Sequence, residues 1–222
     1  LDRRTARLVY GWLWLLPAAV LMAAFTHYPI VGGFVSSFFS TPRQGRLSRF
    51  VGLDNYAAMI ADPVFWQVVR NNFLYALGTI PVSVCLALLM AMWVNRKFRG
   101  RAVVRTAYFT PTILPMIAVA NIWLFFYTPQ IGLLDKICSF FGIPGHSWLG
   151  DPSTALACMV VLAIWKDAGF FMIFFLAALQ GISPEFEEAA LIEGAGRWYF
   201  FRRVTLPLLM PTTLFVVVNA TI

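Results

Sequence analysis

Long uncharged tracts alternate with short clusters of charged residues along this chain. About 20 apolar residues in a helix cross the hydrocarbon core of a bilayer, so each tract of that length predicts one membrane span. Five such tracts run from about 8 to 31, 71 to 95, 106 to 127, 154 to 179, and from 206 to the end of the sequence. The fourth tract carries charge at Lys166 and Asp167, and the fifth stops at Ile222 inside an apolar run. We therefore expect five helical spans, the last one incomplete.

Composition supports a membrane protein over a soluble one. Of the 222 residues, 60% are hydrophobic and 12% are charged, against about 25% charged in a typical soluble domain. A single soluble core of this length could not bury so much apolar surface. The predicted fold class is all-α, a polytopic transmembrane helix bundle. A cleaved signal peptide is the competing interpretation of the first tract, but the tract is longer than a signal core and lacks a small-residue cleavage site.

The net charge of +7 follows from membrane topology rather than from nucleic-acid binding. Basic residues concentrate in cytoplasmic segments of membrane proteins. Alternation of the five spans places eleven cations on one face: Arg3, Arg4, Arg7, Arg96, Lys97, Arg99, Arg101, Arg105, Arg197, Arg202 and Arg203. The opposite face carries Arg43, Arg46, Arg49, Arg70 and Lys136. The pattern predicts a cytoplasmic N-terminus and no nucleic-acid partner.

No sequence motif indicates an enzyme. The chain has no phosphate-binding loop, no dinucleotide-binding glycine pattern and no zinc-protease motif. Its three cysteines and two histidines form no metal-ligand spacing. We expect no catalytic residue, no metal and no cofactor in this chain. If ATP drives its function, another chain binds the nucleotide.

The segment from 182 to 211 has the pattern of a helix-turn-helix on the cytoplasmic face. Ser183 suits an N-cap and Pro184 the first helical position, so a short helix is expected from 184 to 193. Gly194 then ends that helix, and a second one is expected from 197 to 204. The small residues here would let another protein approach the backbone closely. The alternative is an ordinary amphipathic cytoplasmic loop.

A motif within this segment resembles a known family. Glu188-Ala189-Ala190 is followed after three residues by Gly194, and after nine more by Val204-x-Leu206-Pro207. This spacing is similar to the EAA loop of permease subunits of binding-protein-dependent ABC importers, with Val204 in place of the usual Ile. Neighbouring residues are similar to the carbohydrate-uptake branch, including the maltose and glycerol-3-phosphate permeases. Asp135 departs from the Asn of many relatives.

The resemblance implies a partner-dependent transporter in the bacterial inner (cytoplasmic) membrane. The expected partners are a second homologous permease, a dimer of ATP-binding subunits that hold ATP and Mg, and a periplasmic or lipid-anchored solute-binding protein. The implied contacts with the ATPase are Glu188, Ala189, Ala190, Gly194, Ala195, Leu206 and Pro207. The expected domains are residues 1–66, with the first span and a periplasmic loop, and a permease core of 67–222 that contains the coupling loop 183–207. Six spans are expected in the full chain.

Polar residues within spans are costly and usually face a cavity or a partner. Asn121 and Asp167 are therefore candidates for the solute pathway, although each could instead form a bond between helices. Three prolines, Pro81, Pro111 and Pro115, are expected to interrupt the second and third spans. The expected solute is a sugar or a related polyol, glycerol-3-phosphate included.

Two other functions remain as alternatives. A secondary transporter or channel driven by an ion gradient would be expected to carry paired intramembrane carboxylates or an inverted repeat. Asp167 is the one carboxylate within the predicted spans, which weakens that alternative. A membrane scaffold or sensor is the other.

Overall fold

The computed structural model describes residues 3–41, 48–142 and 144–222, with side chains from Tyr10 onward. The described residues form α-helices joined by short links, together with one isolated antiparallel bridge between Phe39 and Phe50. The helices are α1 (Arg3–Met22), α2 (Tyr28–Ser36), α3 (Asp54–Ala61), α4 (Pro63–Asn95), α5 (Arg101–Ile113), α6 (Met116–Tyr127), α7 (Leu133–Phe140), α8 (Ala155–Gln180), α9 (Pro184–Ile192), α10 (Arg197–Phe200), α11 (Leu206–Leu208) and α12 (Met210–Thr221). The chain divides into two compact units, Leu1–Val69 and Arg70–Ile222.

The all-α prediction is confirmed, and the spans follow the apolar tracts. Three continuous helical stretches are long and apolar enough to cross a membrane: Tyr10–Ser36, Pro63–Asn95 and Ala155–Gln180. Two further pairs of helices pass the same test as bent spans, α5 with α6 at 100° and Arg197–Leu208 with α12 at 62°. With each bent pair counted as one span, the described residues contain the five predicted spans. The first stretch includes a π-helical segment, Ala23–His27, between α1 and α2.

The expectation about prolines is correct at one position and wrong at two. Helix α4 runs without a break through Pro81, and α5 continues past Pro111. The break lies at Leu114 and Pro115, where Leu114 adopts an extended conformation with φ −66° and ψ 133°. A residue before proline is pushed away from the helical region by the proline ring. Only at Pro115 does the preceding residue leave the helix, so only there does the span divide.

The core of the second unit forms where small residues of α4 meet large residues of α8. Ala87 and Ala91 of α4 are fully buried, as are Met172 and Phe175 of α8. Val216 of α12 closes the same cluster. Small residues let transmembrane helices approach closely, and the large side chains of α8 fill the space that they leave.

Helices α5 and α8 approach still more closely. A Cβ atom placed on Gly169 of α8 would lie 1.9 Å from the backbone oxygen of Tyr108 in α5. One turn away, the Thr112 hydroxyl donates a hydrogen bond of 3.2 Å to the backbone oxygen of Lys166. Gly169 therefore permits a backbone contact that no other residue type would allow.

The loop between α6 and α8 contains one short helix, α7. Asp135 in its first turn is buried, and its carboxylate accepts hydrogen bonds from the Gln130 backbone N–H (2.7 Å), the Trp148 indole Nε1–H (2.7 Å) and the His146 backbone N–H (3.2 Å). The Gln130 and Trp148 bonds, in that order, hold the pKa of Asp135 below its ordinary value. Asp135 thus ties both ends of the loop to α7.

Candidate coupling site and solute pathway

Helix α9 begins where the sequence predicts. The backbone of Ser183 is extended, and its hydroxyl accepts a hydrogen bond of 3.4 Å from the Glu185 N–H. Pro184 follows at the first helical position, where its missing N–H costs nothing. Glu185 and Glu187 lie in the first turn, where negative charge stabilises the positive end of the helix dipole.

The end of α9 is fixed by two reverse hydrogen bonds around Gly194. The Gly194 N–H donates to the Leu191 oxygen at 3.1 Å, and the Ala195 N–H donates to the Ala190 oxygen at 2.8 Å. This pair of bonds is the Schellman arrangement, in which the residue after the C-cap is left-handed. Gly194 has φ +72°, a conformation that other residues adopt only at a cost. A Cβ on Gly194 would meet nothing within 4 Å, so the subunit itself requires glycine here for its backbone angle rather than for space.

The second helix of the motif is shorter than predicted and changes its winding. Helix α10 spans Arg197–Phe200 and continues as a π-helical segment, Phe201–Thr205. Leu206 and Pro207, both exposed, form the short helix α11, and Leu209 after it is fully buried. The bend of 62° into α12 follows. The segment thus joins α9 to the last described span through one rigid turn and one bend.

A cleft of about 710 Å³ lies between α9, α10 and the end of α4. Asn95 and Arg96 line it from the α4 side, and Glu187, Ala190 and Ala195 line it from the motif. The link after α4 and the EAA segment are therefore at the same end of the bundle.

The cleft divides the predicted coupling residues into two groups. Ala190 and Ala195 are half-buried and line the cleft, so they face the end of α4 across it. Glu188, Ala189 and Gly194 are exposed and do not line it. The exposed group presents a surface that the rest of this chain leaves open.

Sequence reasoning missed the apolar residues beside this surface. Ile192, the last residue of α9, is 88% exposed, and Leu191 is 68% exposed. Trp198 in α10 is 72% exposed and stacks on Phe201 with ring centroids 5.6 Å apart. Large apolar side chains grouped on an exposed surface mark contact sites. Their position next to the motif was the signal in the sequence that could have identified them.

The two pathway candidates are not brought together by a bond. Asn121 is exposed on α6, and its side-chain amide donates to the Ile117 oxygen one turn earlier at 2.9 Å. Asp167 is half-buried on α8. Among the described residues, Asp167 has no side-chain hydrogen bond and no cation within 4.0 Å. Each side chain therefore has polar atoms within a span that could still form hydrogen bonds with a solute.

Aromatic residues near these candidates pack against one another. Trp123 contacts the rings of Phe126, Tyr127 and Trp165, with centroid distances of 5.6, 5.3 and 5.6 Å. Trp123 is accordingly a packing residue between α6 and α8.

Comparison with known proteins identifies the chain. Residues 83–222 match the family described as binding-protein-dependent transport system inner membrane component. The chain belongs to this family. It is a multi-pass inner-membrane permease subunit of an ABC importer, a transport component whose ATP is hydrolysed by separate ATPase subunits. This membership disfavours the ion-gradient transporter.

Individual relatives of the permease transport carbohydrates. The lactose transport permease LacF of Rhizobium radiobacter is 33% identical over 96% of this chain and 72% of its own length. The trehalose/maltose transport permease MalF of Thermococcus litoralis is 32% identical over 100% of this chain and 75% of its own length. A bacterial ABC transporter that imports alginate superposes with a TM-score of 0.82 at 25% identity, covering 99% of this chain and 73% of its own. The same alginate transporter has been solved in complex with a periplasmic protein bound to an alginate pentasaccharide.

Proposed function

We propose that this permease is one of two homologous membrane subunits that move a sugar or related polyol inward, driven by an ATP-binding subunit dimer that holds ATP and Mg. A periplasmic or lipid-anchored solute-binding protein delivers the solute from the outer face. The relatives that transport lactose, trehalose and maltose support the solute class. The basic clusters support a cytoplasmic N-terminus, because they precede the first span and follow the second and fourth.

The geometry of the EAA segment carries the proposal for coupling. Its exposed face, Glu188 and Ala189 with the adjoining Ile192, combines a charge, a small residue and a large apolar side chain. Contact with a groove on a partner protein would remove the exposed apolar side chain of such a surface from water, which is favourable. Its inner face, Ala190 and Ala195, borders the cleft against α4. Helix α9 continues along the chain through the Gly194 turn and α10 into α12, so a push on α9 would reach the last described span, and ATP binding would bias the bundle between two states.

Replacing Gly194 tests this coupling. We expect Gly194→Leu to leave the assembled complex in the membrane but to abolish uptake and the ATPase stimulation that the binding protein produces. Because Asn tolerates left-handed angles and Ala does not, Gly194→Asn should retain more uptake than Gly194→Ala. Gly196→Ala is the matched control, since Gly196 has φ −67° and equally open surroundings. Wild-type uptake by a fully assembled Gly194→Leu complex would refute the coupling role.

Asn121 and Asp167 are proposed to line the solute pathway. Removing the amide in Asn121→Leu should weaken transport affinity or slow transport, measured as uptake against solute concentration in proteoliposomes. The neighbouring Ile122→Leu serves as the control for packing on the same helix. Unchanged affinity and rate in Asn121→Leu would remove this residue from the pathway.

Reconstitution tests the transport class itself. Uptake that requires ATP, the ATPase subunits and the solute-binding protein is the expected result. Uptake by this chain alone would overturn the proposal. Mass spectrometry of the ligand that co-purifies with the binding protein would then identify the solute.

A further inference from the structure

A basic cavity lies at the end of the bundle that carries the EAA segment, on the side of α5. Its volume is about 370 Å³, and it is lined by Arg101, Arg105 and Thr106 of α5, Gln180 of α8, and the apolar residues Val94, Ala102 and Leu176. Val94 and Leu176 are buried, with 3% and 4% exposed surface. The cavity therefore has an apolar floor between three helices and a cationic rim.

In the part of the chain that the structure describes, no carboxylate neutralises the positive charge of this rim. Among the described residues, the one contact within 4.0 Å between a cation and a carboxylate joins His146 and Asp151 in the loop beyond α7. Arg101 and Arg105 thus have no carboxylate partner, and Gln180 adds an amide donor. Arginine binds phosphate through two parallel N–H groups, so this set suits a phosphate group.

The cavity adjoins a shallow, uncharged groove on the surface of α5. The groove measures about 430 Å³ and is lined by Ala102, Val103, Thr106, Ala107 and Thr110, of which Ala102 and Thr106 also line the basic cavity. The Thr106 and Thr110 hydroxyls donate to the backbone oxygens of Ala102 and Thr106, at 3.0 and 2.8 Å. Their polar atoms are thereby satisfied within the helix. From Ala102 to Thr110 the groove descends about 12 Å, at 1.5 Å per residue, into the apolar span.

The wall of the basic cavity is held in place by aromatic contacts. Trp93 near the end of α4 stacks on Phe98 in the link, with centroids 5.8 Å apart and planes 17° apart. The same Trp93 contacts Tyr108 of α5 at 6.0 Å. These contacts tie the end of α4 to both the link and α5.

We propose that this cavity and groove bind one anionic phospholipid, with the phosphate between Arg101 and Arg105 and an acyl chain along α5. Charge complementarity selects the occupant: the cationic rim requires an anion, and the adjoining uncharged groove requires a hydrocarbon chain on the same molecule. Anionic lipids bind in basic pockets between helices at the cytoplasmic face. The site goes beyond coupling and solute transport, because the EAA segment does not line it.

Lipid binding to the purified whole complex tests the proposal. Native mass spectrometry with added phosphatidylglycerol or phosphatidylcholine should show preferential retention of phosphatidylglycerol. In Arg101→Gln/Arg105→Gln, phosphatidylglycerol affinity should fall by about 25-fold, since each arginine near an anionic lipid contributes a factor of about five. Lys97→Gln/Arg99→Gln is the control, because it removes the same charge from the link just before α5, at two residues that do not line the cavity. Equal losses in the two variants would show a general surface potential and overturn the site.

Two further measurements distinguish the occupants. Ala107→Trp fills the groove and should weaken phosphatidylglycerol binding without changing phosphatidylcholine retention. If inorganic phosphate displaces the lipid at equal affinity, the site binds a free anion and the proposal fails. If a cysteine at Val103 cross-links to the second permease in the assembled complex, protein covers the groove and the proposal also fails. The readouts are lipid binding and cross-linking, so they are independent of transport.

Discussion

The close approach of α5 and α8 at Tyr108 and Gly169 allows a quantitative prediction for Gly169→Ala. The added Cβ would lie 1.9 Å from a backbone oxygen, whereas an ordinary carbon–oxygen contact is about 3.3 Å. Helices α5 and α8 would have to separate by about 1.4 Å at this point. A backbone oxygen cannot rotate away, so the strain cannot be relieved by a side chain.

The expected free-energy change combines two opposing effects. Alanine in place of glycine favours a helix by about 1 kcal/mol, and overpacking of this severity costs about 3 kcal/mol. The net destabilisation is about 2 kcal/mol. For a chain of this size, that lowers the apparent Tm by about 4–8 °C.

Two other glycines provide matched controls for this measurement. Gly33→Ala in α2 adds a Cβ that meets nothing within 4 Å, so it should raise the apparent Tm slightly. Gly78→Ala places its Cβ 3.2 Å from a Val160 methyl group, which can shift, so its effect should be small. Heating the purified complex and measuring the folded fraction by size-exclusion chromatography orders the three variants. An apparent Tm for Gly169→Ala at or above that of the wild type would refute the tight helix contact.

Two further predictions concern the loop between α6 and α8 and the second contact between α5 and α8. Asp135→Asn should speed hydrogen exchange in the loop, because one acceptor for the Gln130 or Trp148 donor is lost. Since the folded pKa of Asp135 is lowered, loop order should be complete above the ordinary aspartate pKa and lost as pH falls through the lowered value. Exchange corrected for intrinsic rates should show this loss in the wild type but not in Asp135→Asn, and an identical pH profile would contradict it. Thr112→Val removes the bond to the Lys166 oxygen and should cost about 0.6 kcal/mol, seen as a small fall in apparent Tm. If Thr112→Val lowered the apparent Tm as much as Gly169→Ala does, the expected order of the two effects would be wrong.

Features controlled by nearby residues could be predicted from the sequence. The span positions follow from uncharged tracts, because the bilayer sets one length for all of them. The bounds of α9 follow from Ser183 and Gly194, since capping depends on residues within one turn.

Features that depend on distant contacts could not be predicted. Pro81, Pro111 and Pro115 exert the same local effect, yet only the last accompanies a break, so the local effect of proline does not by itself predict where a span divides. In the sequence, Gly169 is one of several small residues in an apolar span, and its importance depends on the position of α5 against it. The division of the EAA residues into an inner and an outer face likewise required the position of α4.

The break between α5 and α6 has a consequence for hydration inside the membrane. Each half-helix is 13 or 12 residues long, which at 1.5 Å per residue covers about 20 Å, less than the bilayer core. The final carbonyl groups of α5 therefore end at membrane depth without partners in their own helix. Hydrocarbon cannot satisfy them, so this point must face protein or water. A cysteine introduced at Leu114 distinguishes the two: reaction with a small water-soluble thiol reagent shows that water reaches this point, and protection shows that protein covers it.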